Sequence, residues 1–319
     1  MPADIANMKE EKATWLKIEL TAAPLLIDAI SNFMTEIGAQ GVSQEELLPQ
    51  SADDFPESVD QEILAAYLPR DTRLKKRLAS LDRYIESLSQ IFPDVDKPAF
   101  KTEVITDPNW GEEWKQYFKP LRVSKSIVIK PTWERYTPQG RDIVIEIDPG
   151  MAFGTGQHPS TRMCLEALEE LMLKEREIRK WRVLDVGTGT GILGIACAKL
   201  GAERAVCVDI DKKAIEIARE NAKINEVQDR VWFINRDVAT VNEHVDLLIA
   251  NLTAKLLLQL RAHLISLIEK GGYLILSGII ELNRPEIEKH FCKGSLTLHR
   301  VITEKEWVCY ILKKTGPKR

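Results

Sequence analysis

The 319-residue sequence lacks the features that mark membrane, secreted and zinc-binding proteins. The best candidate for a membrane-crossing run, residues 247–268, is interrupted by polar and charged side chains. The first residues contain neither a basic start nor an apolar stretch, so no secretory signal is expected. The five cysteines are scattered without C-x-x-C spacing, which predicts reduced thiols and neither a disulfide framework nor a zinc site. We therefore expect a cytoplasmic protein that holds no metal.

The chain also lacks an excess of basic residues, because 44 Lys and Arg stand against 48 Asp and Glu, for a net charge of −4. General nucleic-acid binders usually carry a basic stripe, so we expect no direct nucleic-acid partner and no membrane partner. A mildly acidic chain suits a basic protein as its partner. The hydrophobic content of 44% is typical of globular proteins, and the length allows one large or two medium domains in what we expect to be a monomer.

The most informative segment is 181–194, which reads WRVLDVGTGTGILG. It predicts a buried strand, a tight turn and the start of a helix. The glycines of the turn, which let a ligand approach where a Cβ would clash, are Gly187, Gly189 and Gly191. A second strand, 205–209, ends on Asp209, where a carboxylate can accept hydrogen bonds from two ribose hydroxyls. The segment therefore predicts a site for a nucleoside cofactor.

Two cofactors compete for this site. Residues 189–194 satisfy the G-x-G-x-x-G pattern of NAD-binding folds, which place a pyrophosphate at the helix N-terminus. S-adenosylmethionine (SAM) has no phosphate but carries a positive amino group and a sulfonium, so an acid near the glycines favours it. Asp185 supplies that acid, which would repel a pyrophosphate, although it could instead cap the loop. The pattern D-x-G-x-G-x-G resembles class I SAM-dependent methyltransferases, with an NAD-dependent oxidoreductase as the alternative.

Hydrophobic periodicity divides the chain into two domains and a connector. Residues 12–106 follow the order β-α-β-β-α-β, which predicts a ferredoxin-like α+β domain. Its expected elements are strands at 14–20, 41–48, 62–68 and 100–106 and helices at 24–37 and 73–91. Residues 107–120 are rich in aromatic side chains and predict a short linker helix that packs between the domains.

Residues 121–315 have the pattern of an α/β domain. Strands near 126–130 and 142–147 lead to a helix at 159–174, after which strands and helices alternate. The seven strands expected after that helix are 182–186, 205–209, 231–234, 246–250, 272–277, 296–302 and 307–313. Such alternation predicts a parallel sheet covered on both faces, and the short 303–306 link predicts an antiparallel edge hairpin. The expected fold class is therefore the Rossmann-like seven-stranded sheet of class I methyltransferases.

Two further segments carry candidate chemistry. The glycine-rich loop 148–161 ends at the start of a helix, where the Thr161 hydroxyl either caps the helix or meets the amino acid tail of the cofactor. His158 in this loop could be a general base, but a loop histidine before proline is more often structural. Strand 246–250 is followed by Asn251, whose amide could accept a hydrogen bond from an amine or cap the next helix. Asp237, after the third strand, could meet the adenine amine or be a solvated acid.

Together these segments resemble the bacterial ribosomal protein L11 methyltransferases, the PrmA family. The matching stretches are DPGMAFGTGQHPST, VLDVGTGTGILGIACAKLGA, VDIDKKAIEIARENAKIN and the strand end at Asn251. The match runs from about residue 110 onward, whereas the N-terminal residues match only in pattern and position. The resemblance implies an N-terminal domain that docks the ribosomal protein and a catalytic domain that methylates its α-amine and lysine side chains.

The resemblance also implies roles for particular residues. The positions that correspond to the cofactor contacts of the family are Thr161, Gly187, Asp209 and Asn251, and the glycine motif adds Asp185, Gly189 and Gly191. Asn251 and Leu252 are the expected catalytic residues, with the Asn251 amide and neighbouring backbone carbonyls holding the amine. The sequence Asn-Leu-Thr-Ala after the strand, instead of Asn-Pro-Pro-Tyr, argues against nucleobase methylation. A related methyltransferase of another basic protein, or a silent SAM-binding module, stays open as an alternative.

Overall fold

The computed structural model describes residues 15–39, 42–45, 61–93, 95–105, 119–147, 156–174 and 180–315. The chain divides into two compact units, residues 1–117 and 118–319. Within the described ranges, no helix combines the length and the apolar character that crossing a membrane requires. All five cysteines are free thiols. The predicted linker helix at 107–120 falls almost wholly outside the described ranges and stays a prediction.

The first unit is a four-stranded antiparallel sheet with two helices. Its elements are β1 (Trp15–Ala22), α1 (Pro24–Glu36), β2 (Val42–Glu45), β3 (Glu62–Pro69), α2 (Leu74–Ile91) and β4 (Ala99–Ile105). The strand order is β2-β3-β1-β4. Alternate residues of β1 are buried, and they pack in one core with Ile30 of α1 and Ile85 of α2. This chain order and strand order confirm the ferredoxin-like prediction.

The second unit begins with a small sheet of β5 (Leu121–Arg122), β6 (Ile127–Lys130) and β7 (Ile143–Glu146). Strand β6 pairs antiparallel with β5 and parallel with β7. Ile127, Ile129 and Ile145 are buried in the core that also contains the helix and strands around the glycine turn. The small sheet therefore packs beside the candidate site.

The main sheet has the order β10-β9-β8-β11-β12-β14-β13, and its strands are parallel except β14. They are β8 (Arg182–Val186), β9 (Arg204–Asp209), β10 (Val231–Asn235), β11 (Val245–Asn251), β12 (Ile268–Ile280), β13 (Leu296–Glu304) and β14 (Trp307–Lys314). The predicted seven-stranded sheet with its antiparallel hairpin is confirmed. Chain order reverses direction between β8 and β11, and open α/β sheets bind ligands at the carboxyl ends of strands beside such a reversal.

Helices cover both faces of the main sheet. They are α3 (Pro159–Lys174), α4 (Ile192–Lys199), α5 (Lys212–Ile224), α6 (Ala254–Leu267) and α7 (Arg284–Phe291). Val183 of β8 packs with α3 and α4, whereas the next residue, Leu184, packs with α6 and α7. Because the central strands are buried on both faces, their sequences are nearly continuous apolar runs.

Candidate functional site

The turn after β8 has a backbone that other residues rarely adopt. The φ angles of its glycines are +71° at Gly187, +54° at Gly189 and +81° at Gly191. The Gly187 N–H donates to the Val208 carbonyl over 2.8 Å, which joins the turn to β9. A Cβ at Gly191 would lie 3.0 Å from the Ala218 Cβ, so α5 closes against the turn. The three glycines predicted from the motif therefore form one tight turn between β8 and α4.

Asp209 lies at the end of β9, against this turn. Its Oδ2 accepts a hydrogen bond from the Gly189 N–H at 3.0 Å, and its Oδ1 accepts one from the Asp211 N–H at 2.9 Å. Each oxygen thus uses one of its two lone pairs on the backbone. The half-buried carboxylate retains one acceptor direction on each oxygen for hydroxyl groups of a ligand.

Asp185 lies beneath the turn and is only 1% exposed. Its Oδ2 accepts hydrogen bonds from the Thr188 Oγ1 at 2.6 Å and from the Gly194 N–H at 3.2 Å. Burial raises the pKa of this carboxyl to about 6, although the two hydrogen bonds oppose the rise. Its Oδ1 is buried and accepts no hydrogen bond from any residue that the structure describes. The bonds of Oδ2 hold the loop, which is the structural alternative for Asp185, and its contact with a cofactor stays a prediction.

Asn251 and Thr161 come from distant parts of the chain and meet at the carboxyl edge of the sheet. The Asn251 Nδ2 donates to the Thr161 Oγ1 over 3.4 Å, and Thr161 is 1% exposed. Thr253, at the N-cap of α6, makes no side-chain cap bond. Among the described residues, the Asn251 amide therefore reaches α3 and does not cap α6. Two residues that the sequence assigned to the cofactor are thus in contact with each other.

Leu252 connects Asn251 to the glycine turn. Its N–H donates to the Ser277 carbonyl of β12 over 3.1 Å. Its Cδ2 lies 2.5 Å from the point where a Cβ on Gly187 would stand. The absence of a side chain at Gly187 therefore makes room for Leu252. All the predicted site residues belong to the second unit and surround the carboxyl ends of β8, β9 and β11.

The remaining candidates have local structural contacts. His158 Nδ1 accepts from the Ser160 N–H over 3.2 Å, and its ring meets Trp307 edge-on at 4.7 Å between centroids. These contacts make His158 a cap of α3, which is the structural role that the sequence favours. Asp237 Oδ1 accepts from the Ala239 N–H at 2.9 Å at the start of a short 3-10 helix. Residues 148–155, the first part of the glycine-rich loop, lie outside the described ranges.

Sequence reasoning missed two residues of β12, Ser277 and Gly278. Ser277 is fully buried, and its Oγ donates to the Ser160 carbonyl over 3.0 Å. Gly278 has a φ of +77° and lies against Asn251 and Leu252. The only available signal was a Ser-Gly pair at the end of an apolar strand. In the described part of the chain, no cluster of three or more His, Cys, Asp or Glu could hold a metal ion.

Comparisons with known proteins agree over most of the chain. The family model described as "Ribosomal protein L11 methyltransferase (PrmA)" matches residues 14–315. A ribosomal protein L11 methyltransferase of Geobacter metallireducens is 37% identical over 299 residues, covering 93% of this chain and 97% of the relative. The Anoxybacillus flavithermus relative of the same name is 34% identical over 316 residues, covering 94% and 99%.

A solved structure points to the same family. The crystal structure of a ribosomal protein L11 methylase from Lactobacillus delbrueckii subsp. bulgaricus is 32% identical, with a TM-score of 0.56. It covers 62% of this chain and all of the solved chain. The family match and the long relatives, which span both units, lead to one assignment: the chain belongs to the ribosomal protein L11 methyltransferase family, a family of SAM-dependent protein methyltransferases.

Proposed function

We propose that this chain transfers methyl groups from SAM to the α-amine and lysine ε-amines of ribosomal protein L11. The observation that carries the proposal is the contact between Asn251 and Thr161 beside the glycine turn and Asp209. This contact places an amide, a hydroxyl and a carboxylate around the carboxyl edge where open α/β sheets bind ligands. The names of the relatives supply the substrate.

The residues around the turn fit a cationic nucleoside. Asp209 offers two acceptor directions to the ribose hydroxyls, and Gly187, Gly189 and Gly191 leave the backbone open to the ligand. The buried Asp185, with one oxygen without a described donor, adds negative charge beside the turn. The Thr161 hydroxyl is assigned to the amino acid tail of the cofactor. When bound, SAM supplies an electrophilic methyl group on a positively charged sulfur.

The protein must present the amine in its neutral form. Deprotonating a lysine with a pKa of about 10.4 at pH 7 costs about 4.6 kcal/mol, whereas an α-amine near 7.7–8.0 costs about 1–1.4 kcal/mol. We assign the Asn251 Oδ1 and the Leu252 carbonyl as acceptors for the N–H groups, so that the lone pair faces the methyl. Alignment of two reacting groups contributes several kcal/mol, so no strong side-chain base is needed and water takes the proton.

The two predicted domains have separate roles. Residues 12–106 dock the protein substrate, residues 107–120 link the domains, and residues 121–315 carry out the transfer. A net charge of −4 favours a basic partner such as a ribosomal protein. The reaction belongs in the cytoplasm, where ribosomal proteins are made, and we propose that the enzyme acts as a monomer.

Methyl transfer from labelled SAM to purified L11, with the labelled positions mapped by mass spectrometry, tests the proposal. We expect label on the N-terminal amine and on lysines. An L11 sample whose amines have been acetylated is the control and should stay unlabelled. Label on other basic ribosomal proteins but not on L11 would overturn the assigned substrate. Bound SAM without transfer to any protein would overturn the reaction.

A further inference from the structure

Strand β12 is irregular beside Asn251. Its register against β14 shifts between Leu276 and Ile279, so Ser277 and Gly278 form a β-bulge. The bulge lies two to three residues before the end of β12, at the carboxyl edge of the sheet. Bulges are common next to active sites, where they redirect side chains and end regular pairing.

Ser277 connects the bulge to two segments of the site. Its Oγ donates to the Ser160 carbonyl over 3.0 Å, next to Thr161 at the start of α3. Its carbonyl accepts from the Leu252 N–H over 3.1 Å, next to Asn251 at the end of β11. Because Ser277 is 0% exposed, water does not compete for these bonds. One residue therefore holds both segments whose side chains meet at the Thr161–Asn251 contact.

Gly278 faces the atoms to which we assign the amine. A Cβ at this position would lie 2.6 Å from the Leu252 carbonyl oxygen, 3.0 Å from its carbon and 3.1 Å from the Asn251 Oδ1. Two of these atoms belong to the backbone, so a rotamer change cannot relieve the contact. Any side chain at residue 278 must displace the Leu252 carbonyl, the Asn251 amide or both.

We propose that the Ser277–Gly278 bulge is a positioning element that sets the two amine acceptors, the Leu252 carbonyl and the Asn251 Oδ1. The inference rests on the proposed function, because that function makes these oxygens the amine acceptors. Gly278 acts through these two oxygens. Of the residues assigned to the cofactor, a Cβ at position 278 would approach Asn251, whereas the others lie in the glycine turn, at the end of β9 and at the start of α3. A side chain at position 278 therefore impairs methyl transfer much more than cofactor binding.

The test compares Gly278→Ala with Gly294→Ala. Gly294 has a φ of +71°, close to the +77° of Gly278, but a Cβ there would meet no described atom within 4 Å. The two variants therefore share the backbone penalty and differ in the contact. We expect kcat for L11 methylation to fall about 100-fold in Gly278→Ala, since a shift of about 1 Å at reacting groups has that effect. Calorimetry should give a SAM Kd, and kinetics a KM for L11, within about threefold of the wild type. Gly294→Ala should stay within about twofold on all three measures.

Equal kcat values for the two variants would overturn the inference, and so would a kcat loss matched by an equal loss of SAM affinity. Should Gly278→Ala fail to fold, as judged by circular dichroism, Ser277→Ala replaces it, because it keeps the glycine and removes the Ser160 bond. Its kcat should fall about tenfold with the SAM Kd unchanged, and an unchanged kcat would overturn the inference.

Failure of the proposed function gives a different result. In that case the wild type itself transfers no methyl group to L11, and crystal structures of the variants decide whether the bulge positions the Leu252 carbonyl and the Asn251 Oδ1. Displacement of the Leu252 carbonyl or the Asn251 amide in the variant at 277 or 278, but not in Gly294→Ala, supports it. Acceptors that stay in place would overturn it.

Discussion

Asp209 and Asp211 are neighbouring carboxylates that differ in what they can offer a bound nucleoside. The two oxygens of Asp209 each hold one backbone N–H, from Gly189 and from Asp211, and each keeps one acceptor direction. Asp211 caps α5 by accepting from the Lys213 N–H at 2.8 Å. Replacing either residue with alanine removes one negative charge at nearly the same place. Comparing the two variants therefore separates the effect of the ribose hydrogen bonds on SAM affinity from the effect of the negative charge.

The expected size of the effect follows from the two free acceptor directions. A hydrogen bond to a charged acceptor contributes about 1.5–3 kcal/mol, so the loss of two should weaken the binding free energy of SAM by about 3–6 kcal/mol. Isothermal titration calorimetry with SAM should show a Kd increase of about 10²–10⁴-fold in Asp209→Ala. Asp211→Ala should change Kd by less than about threefold while losing about 1 kcal/mol of stability with its helix cap. Similar Kd values for the two variants would refute the ribose assignment of Asp209.

Three further predictions follow from the site. Asn251→Ala should slow methyl transfer to L11 about 100- to 1000-fold and weaken SAM binding less, and near-normal turnover would remove Asn251 from the mechanism. Gly187→Ala puts a side chain on a residue with a φ of +71°, and its Cβ would lie 2.5 Å from Leu252. Urea unfolding should therefore show a free energy of unfolding that is lower by about 2–5 kcal/mol. Gly140→Ala, with a φ of +59° and no described atom within 4 Å, should lose only about 1–2 kcal/mol, and equal losses would contradict the packing argument. Burial raises the pKa of Asp185 from its usual 3.8 to about 6 in the folded protein. Between these pH values the folded protein binds more protons than the unfolded chain, so its free energy of unfolding falls as the pH rises through this range. Relative to Asp185→Asn, the unfolding free energy of the wild type should fall by about 2 kcal/mol between pH 4 and 7, and parallel pH curves would contradict the burial of this carboxyl.

Local sequence patterns predicted the elements that depend on local signals. Helix α3 has the predicted bounds, because Pro-Ser-Thr starts it and apolar residues follow at helical spacing. Strand β8 and the turn after it follow from an apolar run that ends in alternating glycines. The methyltransferase prediction, made from the motif between Asp185 and Gly191, is confirmed by the family match.

Features that depend on distant contacts could not be predicted. Strand β14 lies between β12 and β13, and only long-range pairing determines that position. Strand β12 begins at Ile268, whereas the sequence predicted a start at residue 272. The prediction was wrong because a pair of glycines in the sequence is typical of a break between elements. In the structure, Gly272 is needed for close packing, since a Cβ there would lie 2.8 Å from the Asp246 carbonyl oxygen. The bulge at Ser277 likewise depends on Leu252 and Ser160, which are far away in sequence.

The crystal structure of this chain with S-adenosylhomocysteine would test most directly whether the glycine turn holds an adenosyl cofactor. We expect both ribose hydroxyls within hydrogen-bonding distance of the Asp209 carboxylate and the amino acid tail at Thr161. A nicotinamide dinucleotide soaked into the same crystals should not bind. A dinucleotide lying across Asp185, or an adenosyl group bound away from Asp209, would contradict the assignment.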